Sequence, residues 1–294
     1  MVDKNEKHTD LSFLACDVIE VEKLNIEGFE QMVEKYTIIE LLTSVKPFYI
    51  EWLFNHYPEI ENVVYFDPDI MVFQPLTKLE NNLKEFDIIL TPHFTTPIND
   101  DRLPTELHVM QTGVFNLGFI ALRRSKNVFN MLAWWQDRLK EKCLIDLSRG
   151  LFVDQLWANL IPAYFDKVLI EKYPGYNMSH WNLHERTLSK ENGNWLVNGV
   201  PLIFYHFSHY SPAHPDSIAA HHNRFSFETR PDLTEIYGRY KNKLIQHHYF
   251  ELKNVACFYL KDEKKKRRKR EIEIFMRMAL PDKLKGKLKK LAGR

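Results

Sequence analysis

Short apolar runs bounded by turn residues alternate with amphipathic segments from residue 11 to residue 210, and this alternation constrains the fold most. LSFLACDVIEV (11–21), NVVYF (62–66), FDIILTPH (86–93), GVFNLGFIALRR (113–124) and PLIFYHFSHY (201–210) read as strands. Between them, residues 29–54, 127–143 and part of 150–165 carry a helical period. Pro47, next to Lys46, should end or kink the first of these helices. Strands interleaved with helices predict an α/β fold with a largely parallel sheet. The stretch YSPAHPDSIAAHHNRF (210–225) reads as loop to Asp216 and helix beyond it. From Pro231 onward the chain reads as helical and lysine-rich, which sets the expected boundary: a domain over 1–230 and a helical, basic extension over 231–294.

The chain has 294 residues, 45% of them hydrophobic, enough for one large domain with a sizeable core. No uncharged apolar run reaches the roughly 18 residues of a membrane-spanning helix. MVDKNEKHTD lacks an apolar signal core. Cys16, Cys143 and Cys257 are odd in number and far apart, which argues against a disulfide framework and fits a cytoplasmic location. The net charge of +1 conceals an asymmetry: residues 261–294 hold 15 Lys/Arg and 5 Asp/Glu, so the other residues sum to −9. In that basic tail Ile272, Phe275, Met276 and Leu280 can share a helix face, Pro281 then breaks the helix, and Leu284, Leu288 and Leu291 form a second stripe. Such a pattern suits adsorption to an anionic membrane surface, with the inner face of the plasma membrane as the expected one, against the alternative of a solvated tail. Nucleic acid is not the expected partner, because no aromatic stacking platform accompanies the charge.

In NVVYFDPDIMVFQPL (62–76) a strand runs straight into Asp-Pro-Asp. Side chains two apart on an extended chain point the same way, so Asp67 and Asp69 can face one spot. Pro68 stiffens the gap and biases Asp67 to an extended conformation. Two carboxylates held this close repel unless a cation lies between them, and Mn²⁺ or Mg²⁺ matches hard oxygen donors that also admit a substrate phosphate. A turn or cap is the bland alternative; the apolar strand directly before the motif weighs against it. Haloacid-dehalogenase-type phosphohydrolases also place Asp-x-Asp after such a strand, with the first Asp, here Asp67, as nucleophile. They favour a small residue and then Thr or Val after the second Asp, where this chain has Ile70 and Met71.

YFDPDIMVFQPL resembles the metal-binding motif of GT-A glycosyltransferases, and further segments agree in order. NLGFIAL (116–122), FVDQLWANL (152–160) and YHFSHY (205–210) resemble segments of glycosyltransferase family 8 and its bacterial relatives, with PGYNMSHWNLHER (174–186) and HPDSIAAHHNRF (214–225) similar to one bacterial subgroup. The resemblance spans residues 10–228. It implies a GT-A fold, a nucleotide-diphospho-sugar transferase moving a hexose from a nucleotide-sugar donor, UDP-linked, to a glycan or lipid-linked acceptor with retention of configuration. By that resemblance Asp67, Asp69 and His206 hold the metal, and Lys46, Asp67, Asn116 and Gly118 contact the donor. Asp154 and Gln155 stand beside the anomeric carbon. Each carries a plainer alternative: a satisfied core histidine at 206, a strand bulge at Gly118, a helix N-terminus at Asp154, an exposed helix lysine at Lys46.

The chain departs from the family pattern at three places. His209 stands where relatives have Gly, and Ala213-His214-Pro215 replaces Lys-Pro-Trp. The histidines at 206, 209, 214, 221 and 222 match no zinc spacing and are expected mostly at the surface. The metal motif also falls early, and MVDKNE reads as the end of a second strand, which suggests that the first βα unit of the nucleoside site is missing. A catalytically inactive binding module is therefore the second alternative to a transferase.

Overall fold

The computed structural model describes residues 3–4, 14–259 and 262–279. The MVDKNE reading and the second apolar stripe at Leu284, Leu288 and Leu291, with Leu280 and Pro281, lie wholly or largely outside these residues. The chain opens with three short helices, α1 (Phe29–Lys35), α2 (Ile38–Ser44) and α3 (Lys46–His56), followed by β1 (Asn62–Phe66), β2 (Ile70–Val72), α4 (Thr77–Asn82), β3 (Ile88–Leu90), α5 (Glu106–Thr112) and β4 (Phe119–Arg123). The long helix α6 (Lys126–Lys142) leads into β5 (Ile145–Asp146), β6 (Leu151–Phe152), α7 (Ile161–Tyr164) and β7 (Val168–Ile170). A meander of β8 (Leu188–Glu191), β9 (Asn194–Val197) and β10 (Val200–Pro201) precedes β11 (Phe204–His206). Helices α8 (Thr234–Gln246), α9 (Tyr249–Leu252) and α10 (Glu263–Ala279) complete the described chain.

The fold is α/β, but its main sheet is mixed. Strand order is β1-β4-β3-β7, with β4 antiparallel to both neighbours and β3–β7 the parallel pair. The expectation of a largely parallel sheet is thus corrected. Residues 91–118, which include α5, join β3 to β4, and β4 returns antiparallel beside β3, so the connection is not a parallel crossover. Residues 14–20, read as part of a first strand, are irregular and enter a 3-10 helix at Val21–Leu24. The expected helix over 29–54 is three helices. A reciprocal cap between Thr37 and Glu40 starts α2, and Pro47 lies in the first turn of α3, where a missing N–H costs nothing. Residues 217–224 form turns rather than a helix.

Strand alternation divides the core. Ile88, Leu90, Ile120 and Leu122 face α3 and α6, whose Phe54, Met131 and Trp135 are fully or almost fully buried. Ile89, Phe119 and Ala121 face the other way, onto Leu79, Tyr176 and Phe204. A third cluster joins the meander and β11 to α8: the Phe207 and Tyr240 rings stack at 3.9 Å, an arrangement worth about 0.5–1.5 kcal/mol beyond the area it buries. The basic C-terminal segment therefore begins by packing on the strand that carries His206.

Candidate metal centre and active site

Asp67 and Asp69 converge by a different route from that expected. The Ile70 N–H donates to the Asp67 carbonyl, so Asp67–Ile70 is a turn with Pro68 at its first corner, not an extended run. The turn is pinned from outside, since Asp67 N–H donates to the Gly118 carbonyl at 2.8 Å. Strand β2 then pairs antiparallel with β11 in the register that sets Ile70 opposite His206, and Phe207 N–H donates to the Asp69 carbonyl at 2.9 Å. This register brings the imidazole to the turn. His206 Nε2 lies 3.0 Å from Asp69 Oδ1, and one ligand atom from each of Asp67, Asp69 and His206 lies within 4.8 Å of the others. Two carboxylates and an imidazole on a solvent-reachable turn fit a hard divalent cation such as Mn²⁺ or Mg²⁺.

Each of these three side chains is held by a second group. The Tyr65 hydroxyl donates to Asp67 Oδ1 at 2.6 Å, and burial together with the neighbouring Asp67 charge raises its pKa, so the phenol stays a donor. Burial alone would raise the pKa of Asp69, but the hydrogen bond and charge of His206 outweigh it and hold the carboxyl below its ordinary value. Asn116 Oδ1 lies 3.2 Å from His206 Nδ1 and accepts from Gly118 N–H and Asn177 Nδ2. The glycine at 118 is a matter of space: a Cβ there would lie 2.3 Å from His206 Cε1.

A cavity of about 520 Å³ opens beside the triad, a size that suits a small-molecule ligand. Lys46, Asp67, Asn116, Gly118, Asp154, Gln155 and His206 all line it; Asp69 stands at its edge and is not among the lining residues. Two of these side chains face inward partners. Lys46 Nζ donates to Asp154 Oδ2 at 2.6 Å and to the Leu117 carbonyl at 2.7 Å, and sits 4.4 Å from the Tyr65 ring centre. Burial, the largest influence, pushes the Asp154 carboxyl above its ordinary value despite Lys46. Gln155 accepts from Leu117 N–H and donates to the Thr112 carbonyl, tying the two ends of the 112–117 loop together. Val153, directly before this pair, has φ +41°, a strained conformation for a β-branched residue.

Sequence reasoning missed Tyr65, His93, His180 and Trp181. The last three line the cavity wall beyond Asn116, with the Trp181 ring 5.1 Å from that of His206. Tyr65 carried a usable signal, because it lies two residues before Asp67 on the same strand face. Of the loop histidines, 209, 214 and 221 are exposed and His222 is half-buried.

Comparison with known proteins finds two distant relatives. The uncharacterized protein YfnF of Bacillus subtilis (strain 168) is 27% identical over 241 residues, covering 81% of this chain and 78% of its own. The uncharacterized protein YfnD of the same organism is 25% identical over 174 residues, covering 58% of this chain and 54% of its own. No family model and no solved structure matches.

Proposed function

We propose that the protein is a metal-dependent glycosyltransferase of the GT-A type, moving a hexose from a UDP-linked donor to a glycan or lipid-linked acceptor. The observation that carries this reading is the convergence of Asp67, Asp69 and His206 at one edge of a cavity whose walls include Asn116, Gly118, Asp154 and Gln155. A bound Mn²⁺ or Mg²⁺ would supply Lewis-acid stabilisation of a leaving diphosphate. Asp67, Asp69 and His206 would hold it. Gly118 leaves room for the His206 ring, which the Asn116 side chain fixes. Asp154, kept rigid by Lys46, places a carboxylate dipole at the cavity wall, where positive charge developing on the sugar as the diphosphate leaves would be stabilised.

The test measures Mn²⁺ binding by electron paramagnetic resonance, then hydrolysis of a panel of nucleotide sugars by wild type and Asp69→Asn. Metal binding and metal-dependent turnover that Asp69→Asn abolishes, with its melting curve intact, are the expected results. Phosphate release without a sugar nucleotide would replace this reading with a phosphohydrolase. Metal-dependent UDP binding with no turnover would replace it with a binding module.

A further inference from the structure

Helix α10 lies on the body through polar contacts. Glu263 accepts from Ile38 N–H, and Lys266 Nζ donates to the Val33 and Tyr36 carbonyls at the end of α1. Arg270 binds the Glu40 carboxylate and the Lys35 carbonyl, and Arg277 reaches Asp146 and Ser148. Spacings of three, four and seven put these four residues on one helix face. Residues 264, 268, 272 and 275 follow the same period on the opposite face, which turns away from the protein.

That outer face combines two chemistries. Its N-terminal half exposes Lys264, Lys265 and Arg268, flanked by Arg267 and Lys269. Its C-terminal half exposes Phe275 at 70% and Ile272 at 47%. The elements that α10 grips carry exposed apolar side chains of their own. Leu147, beside the Arg277 anchor, is 50% exposed, and Ile39 and Leu42 on α2 are 47% and 43% exposed. Ile39 also lines the cavity.

We infer that the outer face of α10 docks on an anionic lipid bilayer and brings the mouth of the cavity to the membrane surface. Cations in the same stripe as bulky apolar side chains match a headgroup layer of negative charge over hydrocarbon. A nucleic acid would satisfy the cations and leave Ile272 and Phe275 in water. Because the contacts to α1, α2 and β5 fix the helix, docking also sets the orientation of the site, as a lipid-linked acceptor would require. The acceptor clause rests on the transferase reading; the docking itself needs neither donor nor metal.

The full chain is floated with vesicles of phosphatidylcholine alone, or with phosphatidylglycerol as about a third of the lipid, at low and high salt. Binding to the anionic vesicles should exceed binding to neutral ones by at least about tenfold and fall with salt. Ile272→Ser with Phe275→Ser, and separately Lys264→Glu with Arg268→Glu, should each lower it by about tenfold or more. These side chains project from the body, so circular dichroism should show native folding in both. Absent or charge-independent vesicle binding, undiminished binding in either pair of variants, or retention on duplex DNA in place of vesicles would overturn the inference. Metal binding and donor turnover are measured separately, so failure here leaves the transferase reading standing, and the reverse.

Discussion

The ammonium of Lys46 stands 2.6 Å from Oδ2 of Asp154, and the two side chains are only 4% and 3% exposed. A buried pair of this kind is expensive to break on one side. Lys46→Met should destabilise the protein by about 3–5 kcal/mol, because the Asp154 carboxyl would be left buried without its partner. Adding Asp154→Leu should recover much of that loss. Urea denaturation of the two variants checks it; a double variant no more stable than Lys46→Met would show that the pair is not the cause.

Tyr65→Phe removes the hydroxyl that orients Asp67 while leaving the ring beside Lys46. Mn²⁺ affinity should drop by about 10- to 100-fold, the usual effect of losing a group that orients a metal ligand. Thermal stability should change little. Titration followed by paramagnetic resonance separates the two effects.

Gly118→Ala places a methyl group into the His206 ring. Overpacking of this sort costs about 1–3 kcal/mol, and relief comes by shifting His206 off the triad. The melting temperature and metal affinity should therefore fall together. A variant with wild-type values for both would mean that the strand and ring move apart freely.

Burial holds His93 and His222 neutral, with pKa values lowered to about 4 in each case. For His93 desolvation is the main cause, with the neighbouring His206 adding to it; for His222 desolvation is joined by Arg224. In the unfolded chain both would titrate near the ordinary value of 6.5. Between those values the unfolded state binds more protons, so their stabilising contribution is complete above about pH 6.5 and declines as pH falls toward about 4. Replacing both by glutamine should flatten that part of a stability–pH curve measured by chemical denaturation.

How much was legible varies residue by residue. The strand NVVYF, the helix over 127–143 and the closeness of Asp67, Asp69 and His206 could be read from pattern and resemblance. Sheet direction could not, because a short apolar run such as Ile88–Leu90 looks alike in either pairing. Lys46 reads as a surface lysine or a donor contact; its actual partner, Asp154, lies 108 residues away, and nothing local announces it. The meander was missed although its signals are present. Asn192-Gly193 and Asn198-Gly199 supply consecutive positive φ angles, +49° and +81° then +51° and +80°, as tight hairpin turns require. The short strands around them were hidden by charged and polar residues, since Ser189, Lys190 and Glu191 of β8 are all exposed.

The Phe207–Tyr240 stack ties the Asp67–Asp69–His206 cluster to sequence well downstream of any motif. Damage to α8, by proteolysis or a frameshift, would be felt one residue from the His206 imidazole, so an intact Asp-Pro-Asp is no guarantee of an intact cluster. Screening relatives for function should therefore ask whether they retain an aromatic partner for position 207 as well as the acidic pair.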